Sequence, residues 1–312
     1  MKTKLNPTEC ITRLTLPEGR LRMVLDTDTY NEVDDQFALM YALASPERLQ
    51  VEAIYAAPFT NDRSDGPADG MEKSYKEIIR LLETASQVSD KIQASSLPVL
   101  KGSTSYLPDA NTYVPSDAAE DLVQRAMASS SSDPLYVAAI GAITNIASAI
   151  LMQPEIIRRM VVVWLGGHAL HWSHTREFNL HQDIAAAQVL FNSGVPLVHI
   201  PAMNVTSHLL TSVYELEACI GGKNAICDAL VELFRDYHKD HFGWNKEIWD
   251  ISAIAWLLNQ DWVETVLVPS PILTQQSTWS FDQKRHLIRH AIGVDRNAIF
   301  RDMFQKLTEY YK

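Results

Sequence analysis

One stretch constrains this chain more than any other: Arg22-Met-Val-Leu-Asp-Thr-Asp-Thr-Tyr-Asn-Glu-Val-Asp-Asp-Gln36. An apolar run, Met23 to Leu25, reads as a short buried strand that ends in Asp26 and Asp28. Asp34 and Asp35 then open an amphipathic helix, Asp34 to Ala44, with apolar Phe37, Leu39, Met40 and Leu43. Asp26, Asp28, Glu32, Asp34 and Asp35 crowd together with no Lys or Arg among them. Carboxylates packed like this repel one another and raise each other's pKa unless a cation neutralises them. The simplest such cation is a hard divalent metal, which takes oxygen ligands. The plain alternative is an acidic loop before a capped helix, because Asp is favoured in a first helical turn. Two acidic pairs joined by a strand-to-helix turn favour the metal, since ligands of open α/β sheets sit at the carboxyl ends of strands.

The rest of the chain repeats the strand–helix alternation. Strands are expected at Val51–Ala57, Leu97–Leu100, Leu135–Ile140, Val161–Leu165 and Pro196–Ile200. Helices are expected at Met71–Thr84, Ser116–Ser129 with Ser116 as N-cap, from Gly141-Ala-Ile-Thr-Asn145 through Leu151, and at Ile184–Asn192. This pattern predicts an α/β fold with a mainly parallel sheet covered by helices on both faces. After Pro201 the chain reads as more helical: Ala218–His241, then Asp250–Leu258. Short strands over Val263–Gly293 and a closing helix Arg296–Tyr311 follow. No linker or repeat divides the sequence, so residues 1–312 are expected to form a single domain.

Composition narrows the partners. The net charge of −11 opposes a nucleic-acid polyanion, which needs a basic face. Cys10, Cys219 and Cys227 have no metal-like spacing and fit reduced thiols. The N-terminus lacks a signal-peptide core, and no apolar run approaches the ~20 residues of a membrane span. A cytoplasmic protein without a membrane partner is expected.

Several ordered motifs carry a resemblance. Asp26-Thr-Asp28 with Asp34-Asp35, Gly141-Ala-Ile-Thr-Asn-Ile-Ala147, Trp164-Leu-Gly-Gly167, Glu177-Phe-Asn179 and Trp249-Asp250 resemble those of the nucleoside hydrolases, the calcium-dependent, inosine-uridine-preferring type and its relatives. The resemblance runs from about Arg22 to the C-terminus. It implies a Rossmann-like fold, a small-molecule nucleoside substrate, a homodimer or homotetramer, and hydrolysis of the N-glycosidic bond to free base and ribose, as in purine salvage. It also implies roles. Asp28 would be a calcium ligand and the water-activating base, and Asp35 a second ligand. Thr144 would offer its carbonyl. Asp250 would be the third carboxylate ligand and touch the 3′-hydroxyl. Asp34 would hold the 2′-hydroxyl, Glu177 and Asn179 would hold ribose hydroxyls, and Asn61 would orient the base. His171 stands where an asparagine near the 5′-hydroxyl is common, and Leu165 where a methionine is common. Trp249 occupies the place of a histidine that protonates the leaving base; its indole has no useful acidity. A tryptophan there is similar to the purine-preferring branch, where it stacks on the base. Asp34 follows Asp28 by six positions where the family has four, which enlarges this loop or brings Asn31 or Glu32 to the site.

Other features have two readings each. His168, His171 and His174 could bind a metal, but a polar loop over the pocket fits better after Gly166-Gly167. Arg176 could meet a site carboxylate or a 5′-anionic substituent; a surface salt bridge is the plainer expectation. Tyr237, His238, His241 and Trp244 could form a lid. Asp26-Thr-Asp28 after a strand also resembles haloacid-dehalogenase-type phosphatases, although Tyr30 stands where these want Thr or Val. A non-catalytic ribose or nucleoside binder is the third class.

Overall fold

The computed structural model describes residues 5–89 and 96–311. An eight-stranded sheet forms its centre, in the order β3-β2-β1-β4-β5-β6-β12-β9. The strands are β1 (Leu21–Thr27), β2 (Leu49–Ala56), β3 (Val99–Lys101), β4 (Leu135–Ala139), β5 (Met160–Leu165), β6 (Leu197–Ile200), β9 (Val263–Pro269) and β12 (Leu287–Val294); β7 (Leu210–Thr211) with β8 (Lys246–Glu247), and β10 (Ile272–Leu273) with β11 (Trp279–Ser280), form two small sheets of their own. All neighbours pair parallel except β12 and β9. Alternate residues of the central strands feed two cores. Met23, Leu25, Tyr136, Ala138, Val161 and Val163 point to one, and Val24, Val137, Ala139, Val162 and Trp164 to the other. The first core is closed by α2 (Asp35–Leu43), α10 (Ile251–Leu258) and α11 (Arg296–Tyr310). The second is closed by α4 (Asp117–Ala128), α5 (Thr144–Met152) and α7 (Ile184–Ser193). Burial on both faces is why these strands read as continuous apolar runs.

The strand order reverses at β1, which lies between β2 and β4. A crevice at such a switch point, outside the carboxyl ends of the strands, is where open α/β sheets place ligands. The segments after β1 and β4 pass closely here: a Cβ on Gly141, just after β4, would lie 3.0 Å from the Asp28 carboxyl carbon.

The expected elements form, with two differences in the C-terminal half and two short helices that pattern did not reveal; α2, expected to be amphipathic, is instead buried from Asp35 through Ala42 because it lies between the sheet and α10. The helix expected over Ala218–His241 is two helices, α8 (Val213–Ile220) and α9 (Ala225–Tyr237). Gly221-Gly222 breaks it, Gly222 taking φ +68°, and Asn224 caps the second by accepting from the Cys227 N–H. The stretch expected as short strands contains β9 and β12, which extend the main sheet, besides a small hairpin. The unforeseen helices are α1 (Pro7–Arg13), with a capping box from Asn6 and Glu9, and α6 (Phe178–Gln182), capped by Glu177. Ser116 caps α4 as expected. Among the described residues, no helix is long and apolar enough to cross a membrane.

Candidate active site

The turn from β1 to α2 is held by its own backbone and by Gln36. The Asn31 N–H donates to the Asp28 carbonyl at 2.7 Å, and Gln36 Nε2 donates to the Thr29 carbonyl at 2.6 Å. Thr27 Oγ1 donates to Asp35 Oδ1 at 2.5 Å. Asp250, at the start of α10, arrives from the far end of the sequence because α10 packs on α2. Oxygen atoms of Asp34, Asp35 and Asp250 thereby come within 4.8 Å of one another. Asp28 stands beside them; its charge raises the pKa of Asp250, and those of Asp35 and Asp34 raise its own.

All four carboxyls are buried, at 1% to 3% exposure. Burial is the main reason their pKa values rise, to about 6 for Asp34 and about 8 for Asp35, and well above the ordinary range for Asp28 and Asp250. Among the described residues, neither oxygen of Asp28 has a hydrogen-bond partner. A buried carboxylate without a donor is costly. These residues fit a hard divalent cation: acceptor-only oxygens, no sulfur or imidazole among them, and one carboxylate wholly unsatisfied.

The sequence shows no cation nearby, but the fold supplies one. Lys246 is buried and donates to Glu32 Oε2 at 2.6 Å; Asp34 and Glu32 raise its pKa. The same glutamate accepts from the Tyr237 hydroxyl at 3.1 Å. Lys246 comes from a strand far along the chain, so only tertiary pairing reveals it.

A cavity of 280 Å³ opens above the carboxylates. Its lining includes Asn31, Glu32, Asp34, Glu177, Asn179, Trp249 and Asp250. The longer β1–α2 loop thus does bring both Asn31 and Glu32 to the cavity wall. Beyond Glu32 lies a wider groove of 580 Å³ between α9 and α3 (Pro67–Val88); it lacks the carboxylate cluster, so chemistry belongs to the smaller cavity. Glu177 accepts from the N–H groups of Asn179, Gly167 and Leu180, which fixes its carboxylate; burial still raises its pKa to about 7. Asn179 Nδ2 donates to the carbonyls of Ile140 and Leu165, locking the amide between the ends of β4 and β5.

The remaining candidates lie nearby in other roles. Thr144 opens α5 and donates its hydroxyl to Asp183 at 2.8 Å. Asn61 Nδ2 donates to Asn31 Oδ1 at 2.6 Å, bracing the loop rather than lining the cavity. His171 is exposed and its Nε2 meets Asn204 Nδ2 at 2.7 Å; the histidine that lines the cavity is His168. His238 stacks on Trp244 at 4.6 Å, leaving Phe242 92% exposed in the loop between them. Asn145, quoted above only within a motif, bridges Asp26 and the Ser103 N–H.

An open doubly wound sheet with a carboxylate-floored cavity at its switch point defines an α/β protein that binds a small ligand there. More particularly, residues 23–301 match the model of the inosine-uridine preferring nucleoside hydrolases, and the chain belongs to that family. Family members are ribonucleoside hydrolases that cleave the N-glycosidic bond, and this chain is an enzyme of that kind. The chain is 28% identical to the pyrimidine-specific ribonucleoside hydrolase RihA of Salmonella typhimurium over 268 residues, covering 79% of this chain and 82% of the relative. Among solved structures it resembles the purine-preferring ribonucleoside hydrolase of Gardnerella vaginalis, with TM-score 0.72, 19% identity and coverage of 93% and 99%. It also resembles an inosine-guanosine nucleoside hydrolase, with TM-score 0.72, 15% identity and the same coverage.

Proposed function

We propose that the chain hydrolyses purine ribonucleosides with calcium held by Asp28, Asp35, Asp250 and the Thr144 carbonyl. Asp34, whose oxygens approach those of Asp35 and Asp250, lies close enough to join them or to receive the 2′-hydroxyl. The observation that carries the reading is the unsatisfied Asp28 carboxylate at the switch point. When bound, a divalent cation makes water more acidic and stabilises the hydroxide form.

The chain's own groups do the rest. Asp28 accepts the proton of the attacking water at a free carboxylate oxygen. Asp250 and Asp34 accept hydrogen bonds from the ribose diol, and Glu177 and the side-chain oxygen of Asn179 accept from ribose hydroxyls as well. Glu177 stays oriented because three backbone N–H groups grip it. The carboxylates favour positive charge on the sugar as the C1′–N bond opens. Trp249, half-buried on the wall, offers a flat face to the base, a contact of ~1–3 kcal/mol in nucleic-acid sites.

The names of the sequence relatives favour a second reading, pyrimidine specificity. A nucleoside panel assayed for free ribose, with and without chelation, decides. Purine preference predicts inosine or guanosine cleaved faster than uridine, with Trp249→Ala losing most of the difference; faster uridine cleavage by the wild type refutes it. The reading extends to a homodimer or homotetramer acting in the cytoplasm, which light scattering and cell fractionation test.

A further inference from the structure

Asn31, from the lengthened β1–α2 loop, stands on the cavity wall where Asn61 was expected. It is 8% exposed and lines the cavity, while Asn61 braces it without reaching the lining. One backbone donor fixes the orientation of both amides. The Arg63 N–H can only donate, and it meets Asn61 Oδ1 at 2.8 Å. The other end of the Asn61 amide is therefore its NH2 group. That Nδ2 donates to Asn31 Oδ1 at 2.6 Å and to the Asn31 carbonyl at 3.3 Å. Oδ1 is thus the atom of Asn31 turned toward Asn61, and Nδ2 the atom turned away from it.

The other polar groups of Asn31 are occupied. Its N–H donates to the Asp28 carbonyl at 2.7 Å, and its carbonyl also accepts from the Arg63 guanidinium at 3.4 Å. Among the described residues, no acceptor meets Nδ2. Turning the amide over would set two NH2 groups against each other, so the free donor is preorganised. The neighbouring wall offers acceptors instead: the carboxylates of Asp34, Asp250 and Glu177, and Asn179 Oδ1, whose own Nδ2 is spent on the carbonyls of Ile140 and Leu165. Those acceptors match ribose hydroxyls. A fixed donor among them matches an acceptor atom, and the acceptors of a nucleoside are concentrated on its base.

The position of Asn31 in the turn selects the atom. The turn starts at Asp28, the base for the water that attacks C1′, and ends at Asp34, which receives the 2′-hydroxyl. Asn31 lies midway, which on that reading sets it beside the C1′ substituent on the C2′ side. In the anti conformer of a nucleoside, that side carries N3 of a purine or O2 of a pyrimidine. We propose that Asn31 Nδ2 donates to this acceptor and that Asn31 is a catalytic residue for departure of the base. This rests on the ribohydrolase reading above. As the C1′–N bond breaks, its electron pair passes to the base, and delocalisation builds negative charge on N3 or O2. A donor already aimed there binds the transition state more tightly than the bound nucleoside. The proton stays on Asn31. Both base classes carry the acceptor, so this contact raises the rate without choosing between them; that choice is left to Trp249.

The test pairs adenosine and guanosine with their 3-deaza analogues, in which C–H replaces N3, and with their 7-deaza analogues as controls. Free base is measured by chromatography. Deaza substitution alters the leaving group itself, so the readout is the parent-to-analogue ratio of kcat/KM, compared between wild type and variant. In Asn31→Ala the 3-deaza ratio should fall about 10-fold, the size of one hydrogen bond to an atom gaining charge, while the 7-deaza ratio stays within about twofold. Asn31→Asp keeps an oxygen for Asn61 but loses the N–H, and its 3-deaza ratio should fall at least as far. A 3-deaza ratio unchanged in Asn31→Ala, or kept at the wild-type value in Asn31→Asp, overturns the proposal, because the side chain then only braces the loop. An equal fall in the 7-deaza ratio overturns it too, and in each case the hydrolase reading stands. If neither purine nucleoside is cleaved, that reading fails for purines, and calorimetry with the same pairs decides the contact: weaker 3-deaza binding that is levelled in Asn31→Ala supports it, and equal binding overturns it.

Discussion

Lys246→Met tests whether the cation buried beside the carboxylates is part of the site's electrostatic balance. The ammonium lies 2.6 Å from Glu32, with side-chain exposures of 8% and 32%. At an effective dielectric of 20 the attraction is ~6 kcal/mol, most of it offset by desolvation. Removing one partner of a buried pair costs ~3–5 kcal/mol, because the other charge is left unmatched. Glu32 is partly hydrated, so the lower end applies, and we expect ~3 kcal/mol for Lys246→Met. Glu32→Gln leaves Lys246 beside Asp34 and should cost only ~1 kcal/mol. The double variant leaves no unmatched Glu32 and should recover ~1–2 kcal/mol relative to the sum. Urea unfolding followed by tryptophan fluorescence, in chelator, supplies all four corners of the cycle. Additivity within ~0.5 kcal/mol would refute the coupling.

Asp28→Asn should keep the fold and reduce turnover at least ~10²-fold, the low end for a general base; near wild-type steady-state rates would move the base elsewhere. Chelation should lower the thermal midpoint, and calcium at a hundredfold excess over Kd should return ~2.7 kcal/mol of stability, read by calorimetry in Asp28-containing protein. His199 and His290 meet at 3.1 Å in a buried pair, and burial lowers their pKa values to about 4 and about 2. Folded values below the unfolded value near 6.5 mean that the stability from this pair is complete above pH 6.5. It falls as pH drops toward 4, by up to ~1.4 kcal/mol per pH unit per group. His290→Asn should flatten that slope relative to wild type in urea titrations between pH 7 and 5. Gly141→Ala places a methyl 3.0 Å from the Asp28 carboxyl carbon and 3.2 Å from Ala57 Cβ. It should cost ~1–3 kcal/mol of stability and depress kcat more than KM; unaltered kcat would show that Asp28 has room to move.

Local pattern made much of this legible. The β1 run, its acidic end and the α2 start sit together in sequence, so the carboxylate cluster could be read before any fold was known. Alternation of apolar strands and helices gave the sheet because both faces are covered. Tertiary geometry hid the rest. Lys246 lies far from Glu32 in sequence, and nothing in Lys246-Glu247 announces burial. His168 and His171 are indistinguishable by spacing, and only the fold shows that His168 lines the cavity while His171 is exposed. The α8–α9 break was visible as Gly221-Gly222, but a strong apolar periodicity on both sides outweighed it.

The origin of the carboxylates also has a kinetic consequence. Asp28, Asp34 and Asp35 can approach one another as soon as β1 and α2 form, but Asp250 joins only when α10 docks on α2. If these carboxylates hold the metal as proposed, a complete set of oxygen ligands requires contacts of the longest sequence separation in the site, the kind that form late. Ions that need the whole set stabilise the native state more than the transition state. Calcium should therefore slow unfolding while leaving the refolding rate nearly unchanged, making the bound enzyme persistent rather than quick to assemble.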